Sequence, residues 1–200
     1  MKQPFGVILA GGQATRMGGG DKGLLRLGQQ SILAHVIERL SPQVSDLALN
    51  ANGDAKRFSD IDLSVLPDSI DGFAGPLAGV LAGLDWAAAH GADTIVTAAA
   101  DTPFFPGDLV PRLLLASEGM IHPLVLAATP DATRGRVRHP TFGLWPVALR
   151  DDLRRALDGG LRKVVMWTEQ HAGREALFPH ADAFFNINTP KDLTRAEDLI

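Results

Sequence analysis

Phe5-Gly-Val-Ile-Leu-Ala10 is a short apolar run that stops abruptly at Gly11-Gly12. A run with no polar alternation is the pattern of a strand covered on both faces, and the two glycines turn it into a loop. Three further segments follow the same plan: Asp46-Leu-Ala-Leu-Asn50, Leu63 to Leu66 running into Pro67-Asp68, and Thr94 to Ala100 ending in Asp101-Thr-Pro103. Helix-period segments separate them. Ser31 is placed to cap a helix with Ile32, Leu33, Val36, Ile37 and Leu40 on one face and Pro42 at its end. Pro76 opens a second helix to about His90, with Leu77, Val80, Leu81 and Leu84 inward and Gly91 as its stop. Gly79 and Gly83 inside it suggest close packing against another backbone. The alternation predicts an α/β fold, a three-layer sandwich around a mostly parallel sheet.

The second half is less regular. It reads as a helix opened by Pro106 and Asp108, strands over Leu124 to Ala128 and about Thr141 to Leu144, and helices over Val147 to Leu157 and around Leu161 to Trp167. A last strand, Phe184-Phe-Asn-Ile-Asn188, leads into a helix from Pro190.

Composition narrows the chemistry. The 200 residues contain no cysteine, which removes disulfides, thiolate metal ligands and cysteine nucleophiles. The six histidines show no paired metal-ligand spacing, so any metal is expected on oxygen. A net charge of −4 gives no overall basic field to draw nucleic acid or an anionic membrane. There is neither a signal-peptide core nor an apolar run of roughly 18 to 20 residues, so a cytoplasmic location is expected.

In parallel sheets, ligands bind outside the carboxyl ends of the strands. Gly11-Gly12, Asn50, Asp68 and Asp101 each follow a predicted strand, and Asn186 and Asn188 make a fifth group. One such residue alone is an ordinary turn or capping residue. Their convergence on one edge is what points to a site. The loop from Gly11 to Gly20 holds five glycines, with cations at Arg16 and Lys22, a composition that suits backbone N–H groups cradling phosphate. It matches neither a Walker A motif nor the dinucleotide fingerprint. Asp101, a carboxylate at the end of a buried strand, is the candidate Mg²⁺ ligand. Arg134, Arg136 and Arg138 form a second basic segment, with no acid among residues 134 to 139.

Leu9-Ala-Gly-Gly12, Arg16-Met-Gly18 and Asp21-Lys22-Gly-Leu-Leu25 are followed in order by Asn50-Ala-Asn52, Asp68-Ser69, Gly75-Pro-Leu-Ala-Gly79 and Asp101-Thr-Pro103. Arg138-His-Pro-Thr141 and Phe185-Asn-Ile-Asn-Thr-Pro190 complete a set that spans essentially the whole chain. The set resembles the molybdenum cofactor guanylyltransferases, nucleotidyltransferases of a GT-A-like, Rossmann-related fold. The resemblance implies one nucleotidyltransferase domain over residues 1–200, its N-terminal half binding nucleotide and its C-terminal half molybdopterin. The implied reaction moves GMP from GTP to the terminal phosphate of molybdopterin, with Mg²⁺ as cofactor, and releases pyrophosphate.

Carried over by position, Leu9, Ala10 and Gly11 hold the nucleotide through main-chain groups, and Gly12 leaves room for a purine. Lys22 contacts the phosphates, Asn50 and Asp68 the nucleoside, and Asp101 both GTP and the metal. Arg16, Gly19 and Gly75 match positions tied to activity. Asn186, Asn188 and the Arg138-His-Pro segment fall on the molybdopterin side. The resemblance further implies a monomer that makes transient contact with cofactor insertion or carrier proteins and has no nucleic-acid or membrane partner. Three alternatives stay open: a CTP-using molybdopterin cytidylyltransferase, a non-catalytic nucleotide-binding module, and a sugar-1-phosphate nucleotidyltransferase.

Overall fold

The structure, a computed structural model, describes residues 2–11, 21–70 and 75–200. β1 (Phe5–Leu9) is followed by a small hairpin, β2 (Arg26–Leu27) and β3 (Gln30–Ser31), and by α1 (Ile32–Leu40). β4 (Leu47–Asn50), β5 (Ser64–Leu66), α2 (Pro76–Ala89) and β6 (Thr94–Ala99) complete the first half. α3 (Leu109–Ala116), β7 (Val125–Asp131), β8 (Gly135–Pro146), α4 (Arg150–Asp158), α5 (Val164–Gln170), β9 (Arg174–Leu177) and α6 (Pro190–Glu197) form the rest. Among the described residues no helix is long and apolar enough to cross a membrane.

Seven strands make one sheet in the order β5-β4-β1-β6-β8-β7-β9. Four of its pairings are parallel, and β8 alone runs against its neighbours, β6 and β7. The first four strands therefore end on one edge, as the alternation predicts. Separate apolar cores cover the two faces. Leu33, Val36 and Leu40 of α1 and Leu109 and Leu113 of α3 fill one. Leu77, Val80, Leu81 and Leu84 of α2, with Leu153, Val164 and Trp167, fill the other. Each such fully buried side chain contributes about 1.5–3 kcal/mol relative to exposure. Ser31 caps α1 as expected, its Oγ accepting the Ala34 N–H at 3.1 Å.

α2 lies close on the sheet because two of its inward positions lack a Cβ. A methyl on Gly83 would stand 2.7 Å from Val7 Cγ2 and 2.9 Å from Ile95 Cδ1. On Gly79 it would stand 2.2 Å from Asn50 Oδ1. The close packing is thus against strand side chains, where the sequence suggested another backbone.

The C-terminal half departs from expectation in identifiable ways. Phe184–Asn188 is not a strand: a turn over residues 181–184 gives way to irregular backbone through 188. Both edges of β6 are already taken by β1 and β8, and the segment bonds instead just past the strand's end, Ile187 N–H to Asp101 C=O at 2.8 Å. Its apolar residues also split, Phe184 going to the core under α1 and α3 and Ile187 to a small cluster with Leu27, Ile32 and Ala196. The helix placed around Leu161 to Trp167 starts later. Gly160, at φ +89°, folds the end of α4 so that Leu161 N–H reaches Ala156 C=O, which leaves Lys163 as the cap of α5. β9 and the β2–β3 hairpin are elements the sequence did not announce.

His139 on β8 is half-buried, with Nε2 2.9 Å from Thr129 Oγ1 and its ring 4.4 Å from that of Phe184. Burial pushes its pKa below the ordinary histidine value. A depressed folded-state pKa contributes stability that is present above about pH 6.5 and lost as pH falls through the folded value. Thermal melts of wild type and His139→Gln between pH 7.5 and 5 should therefore converge as the pH drops; a constant gap would refute this assignment.

Candidate active site

The strand ends deliver their polar residues to one cleft of about 310 Å³, lined by Leu9, Ala10, Gly11, Lys22, Asn50, Asp68, Gly75 and Asp101, with Phe58, Ala100 and Thr141 between them. Gly12, Arg16 and Gly19 lie outside the described residues. Ala10 N–H donates to Asn50 C=O at 2.8 Å, and Leu9 C=O accepts Ala100 N–H at 3.1 Å, so both groups extend the sheet. Ala10 and Gly11 themselves line the cleft. Gly75 caps α2 at φ 71°, ψ −161°, a conformation essentially reserved for glycine.

One end of the cleft is a bracket of three side chains. Asn50, 2% exposed, donates from Nδ2 to Asp68 Oδ1 at 2.9 Å and to Leu66 C=O at 3.1 Å. Asn52 Nδ2 donates to Asp68 Oδ2 at 2.8 Å, and Asn52 Oδ1 accepts the Asp68 N–H at 2.9 Å. The next residue, Ser69, donates to Asp85, whose carboxylate is gripped on both oxygens by Arg154. Sequence reasoning gave no role of its own to Asn52, although the Asn-Ala-Asn spacing carried the signal. Side chains two apart on extended backbone share a face.

The other end is cationic and anionic at once. Lys22 Nζ donates to Asn188 Oδ1 at 2.7 Å and stands 3.9 Å from Asp101 Oδ2. Thr102 Oγ1 lies 2.5 Å from Asn186 Oδ1 and 3.3 Å from Asp101 Oδ1. Asn186 and Asn188 thus reach the site even though their segment is not a strand. Burial raises the Asp101 pKa above the ordinary aspartate value, only partly opposed by Lys22 and Thr102. A carboxylate in this state is short of positive charge. Among the described residues no three His, Asp or Glu side chains group as a ready-made metal cage.

A clasp joins the two ends. Arg57 Nε lies 2.5 Å from Asp21 Oδ2, beside Lys22, and the same guanidinium donates to the carbonyls of Asn52 and Asp54. The Arg134 to Arg138 segment does something else. Arg138 is held by Glu175 and Glu169 at 2.5 and 2.7 Å, and Arg136 by Glu175 at 3.3 Å. The acids missing from the local sequence are supplied by β9 and α5, and the segment lines a separate hollow with Val165.

A mostly parallel sheet whose strand-edge cleft carries Asn50 and Asp68 on one side and a Lys–Asp pair on the other has the make-up of a nucleotidyltransferase. The sequence matches the family model of the MobA-like NTP transferase domain over residues 6–173. It is 52% identical over 196 residues to a molybdenum cofactor guanylyltransferase of Cereibacter sphaeroides, covering 98% of this chain and 96% of that protein. A molybdenum cofactor guanylyltransferase of Mesorhizobium japonicum is 50% identical over 202 residues, with 98% and 95% covered. In fold, the chain is similar to molybdopterin-guanine dinucleotide biosynthesis protein A from Archaeoglobus fulgidus, with TM-score 0.74, 24% identity, and 98% and 97% of the two chains covered. The chain belongs to the MobA-like NTP transferase family.

Proposed function

We propose that this protein transfers GMP from GTP to the terminal phosphate of molybdopterin, forming molybdopterin guanine dinucleotide and pyrophosphate. The observation that carries the reading is the division of the cleft into the Asn50–Asp68 end and, across it, Lys22 beside Asp101. Near-50% identity to named guanylyltransferases over almost the whole length supports it. In this reading the first three parallel segments hold the nucleotide. Thr141, Asn186 and Asn188, all from the C-terminal half, face the acceptor. The protein acts in the cytoplasm.

A phosphate monoester oxygen of molybdopterin attacks the α-phosphorus of GTP. The new P–O bond forms as the bond from that phosphorus to the bridging oxygen breaks, and pyrophosphate leaves with the electron pair. The attacking oxygen is already ionised near neutral pH, so no general base is required, in keeping with a site that holds no cysteine and no poised histidine. The enzyme's task is in-line positioning and charge neutralisation. Lys22, steered by Asn188, supplies an ammonium to the phosphates. The partly buried carboxylate of Asp101, short of positive charge, fits a hard divalent cation that takes its other ligands from phosphate and water. When bound, Mg²⁺ there neutralises charge on the triphosphate and the leaving group.

Pyrophosphate release, measured with GTP or CTP in the presence of molybdopterin and Mg²⁺, tests the reading. GTP should be the productive nucleotide; release from CTP instead, or from neither, would replace it. Lys22→Ala should lower kcat roughly 10²–10³-fold, and wild-type turnover in that variant would remove Lys22 from the mechanism.

A further inference from the structure

Asn52 does not line the cleft, yet both polar atoms of its amide are committed to residue 68, one to the carboxylate and one to the backbone N–H. This reciprocal pair fixes the side chain and main chain of Asp68 together. Asn50 fixes the other carboxylate oxygen. Each oxygen receives one amide donor, and a carboxylate oxygen accepts more than one hydrogen bond. The remaining acceptor capacity belongs to a group that lines the cleft. Arg57, itself paired with Asp21, donates to the carbonyl of Asn52.

We propose that Asn52 is a specificity-determining positioning residue, which orients Asp68 so that its two oxygens accept side by side from one edge of a purine carrying two adjacent donors. Guanine presents such an edge in N1–H and the 2-amino group; hypoxanthine keeps only N1–H, and cytosine offers its 4-amino group alone. A site built to accept both donors penalises a base that leaves one oxygen unpaired. Asn52 itself touches no substrate. Its contribution is to the angle and the plane of the carboxylate that does. This inference rests on the reading of the protein as a GTP-using enzyme and assigns the discrimination to a particular residue within it.

Calorimetric titration of the full-length protein with GTP, ITP and inorganic tripolyphosphate tests it without any turnover. Wild type should bind GTP at least about tenfold more tightly than ITP. In Asn52→Ala and Asn52→Ser the gap should shrink to about threefold or less, with tripolyphosphate affinity unchanged. In an Asp68→Asn background, adding Asn52→Ala should change the GTP to ITP ratio no further, since the effect passes through Asp68. A wild-type ratio in both Asn52 variants, no GTP preference in wild type, or an undiminished effect in the Asp68→Asn background would each overturn the proposal. Equal loss of GTP, ITP and tripolyphosphate binding would do so as well, marking Asn52 as merely structural. Failure of wild type to bind GTP at all would instead strike the functional reading beneath it.

Discussion

Replacing Gly79 by alanine is expected to cost about a hundredfold in GTP affinity while leaving the phosphate end of the cleft in place. The added methyl would sit 2.2 Å from Asn50 Oδ1, 2.9 Å from Asn50 Cγ and 2.8 Å from Leu9 Cδ2. Asn50 has nowhere to retreat, because it is buried and its Nδ2 already bonds Leu66 C=O and Asp68. Either α2 lifts off the sheet or Asn50 abandons Asp68, and both outcomes damage the end of the cleft proposed to hold the base. Overpacking of this kind costs about 1–3 kcal/mol in stability. Gly83→Ala is the matched control: its methyl meets Val7 and Ile95 in the core, so it should lose comparable stability and keep its nucleotide affinity. Urea unfolding paired with GTP titration distinguishes the two variants, and a Gly79→Ala protein that binds GTP normally would show that Asn50 does not hold the base end.

Asp101→Asn should separate activity from stability. Loss of the carboxylate should lower kcat by at least about a hundredfold. The melting temperature at pH 7.5 should be equal to or above that of wild type, because burial penalises the charge that the substitution removes. The raised pKa fixes the sign of the pH dependence. The stabilising contribution of this carboxyl is fully present below the ordinary aspartate pKa, about 4, and is lost as pH rises through the folded-state value. The gap in melting temperature between variant and wild type should thus close as pH falls towards 4. An Asn variant that is active, or one that melts well below wild type at every pH, contradicts this account.

Much of the site was legible from the sequence because its residues stand directly after apolar runs. Asn50 ends β4, Asp68 and Asp101 lie two residues past β5 and β6, and the parallel arrangement of these strands brings all three to one edge. Phe184 to Asn188 misled for the opposite reason. Its apolar residues satisfy two different cores, and periodicity cannot tell that from a strand. β9 carries Arg174 and Glu175, whose partners come from the α3 end and from β8, so its strand character depends on contacts far along the chain. The Arg134 to Arg138 cluster looked like a ligand patch in a local window, and Glu169 and Glu175 supply its counter-charges from outside that window. Gly12, Arg16 and Gly19, lying outside the described residues, keep only the standing that the family resemblance gives them.

The bond from Lys22 to Asn188 joins residues 166 positions apart, and the bond from Thr102 to Asn186 spans 84. Closing contacts this distant in sequence costs loop entropy, and a share of such non-local contacts slows folding. On a ribosome, the strands that present Asn50 and Asp68 emerge well before the two amides that steer Lys22 and flank Asp101. The proposed transfer therefore waits on synthesis through Asn188, because the amides that hold Lys22 and Thr102 are translated after the strands that carry Asn50 and Asp68.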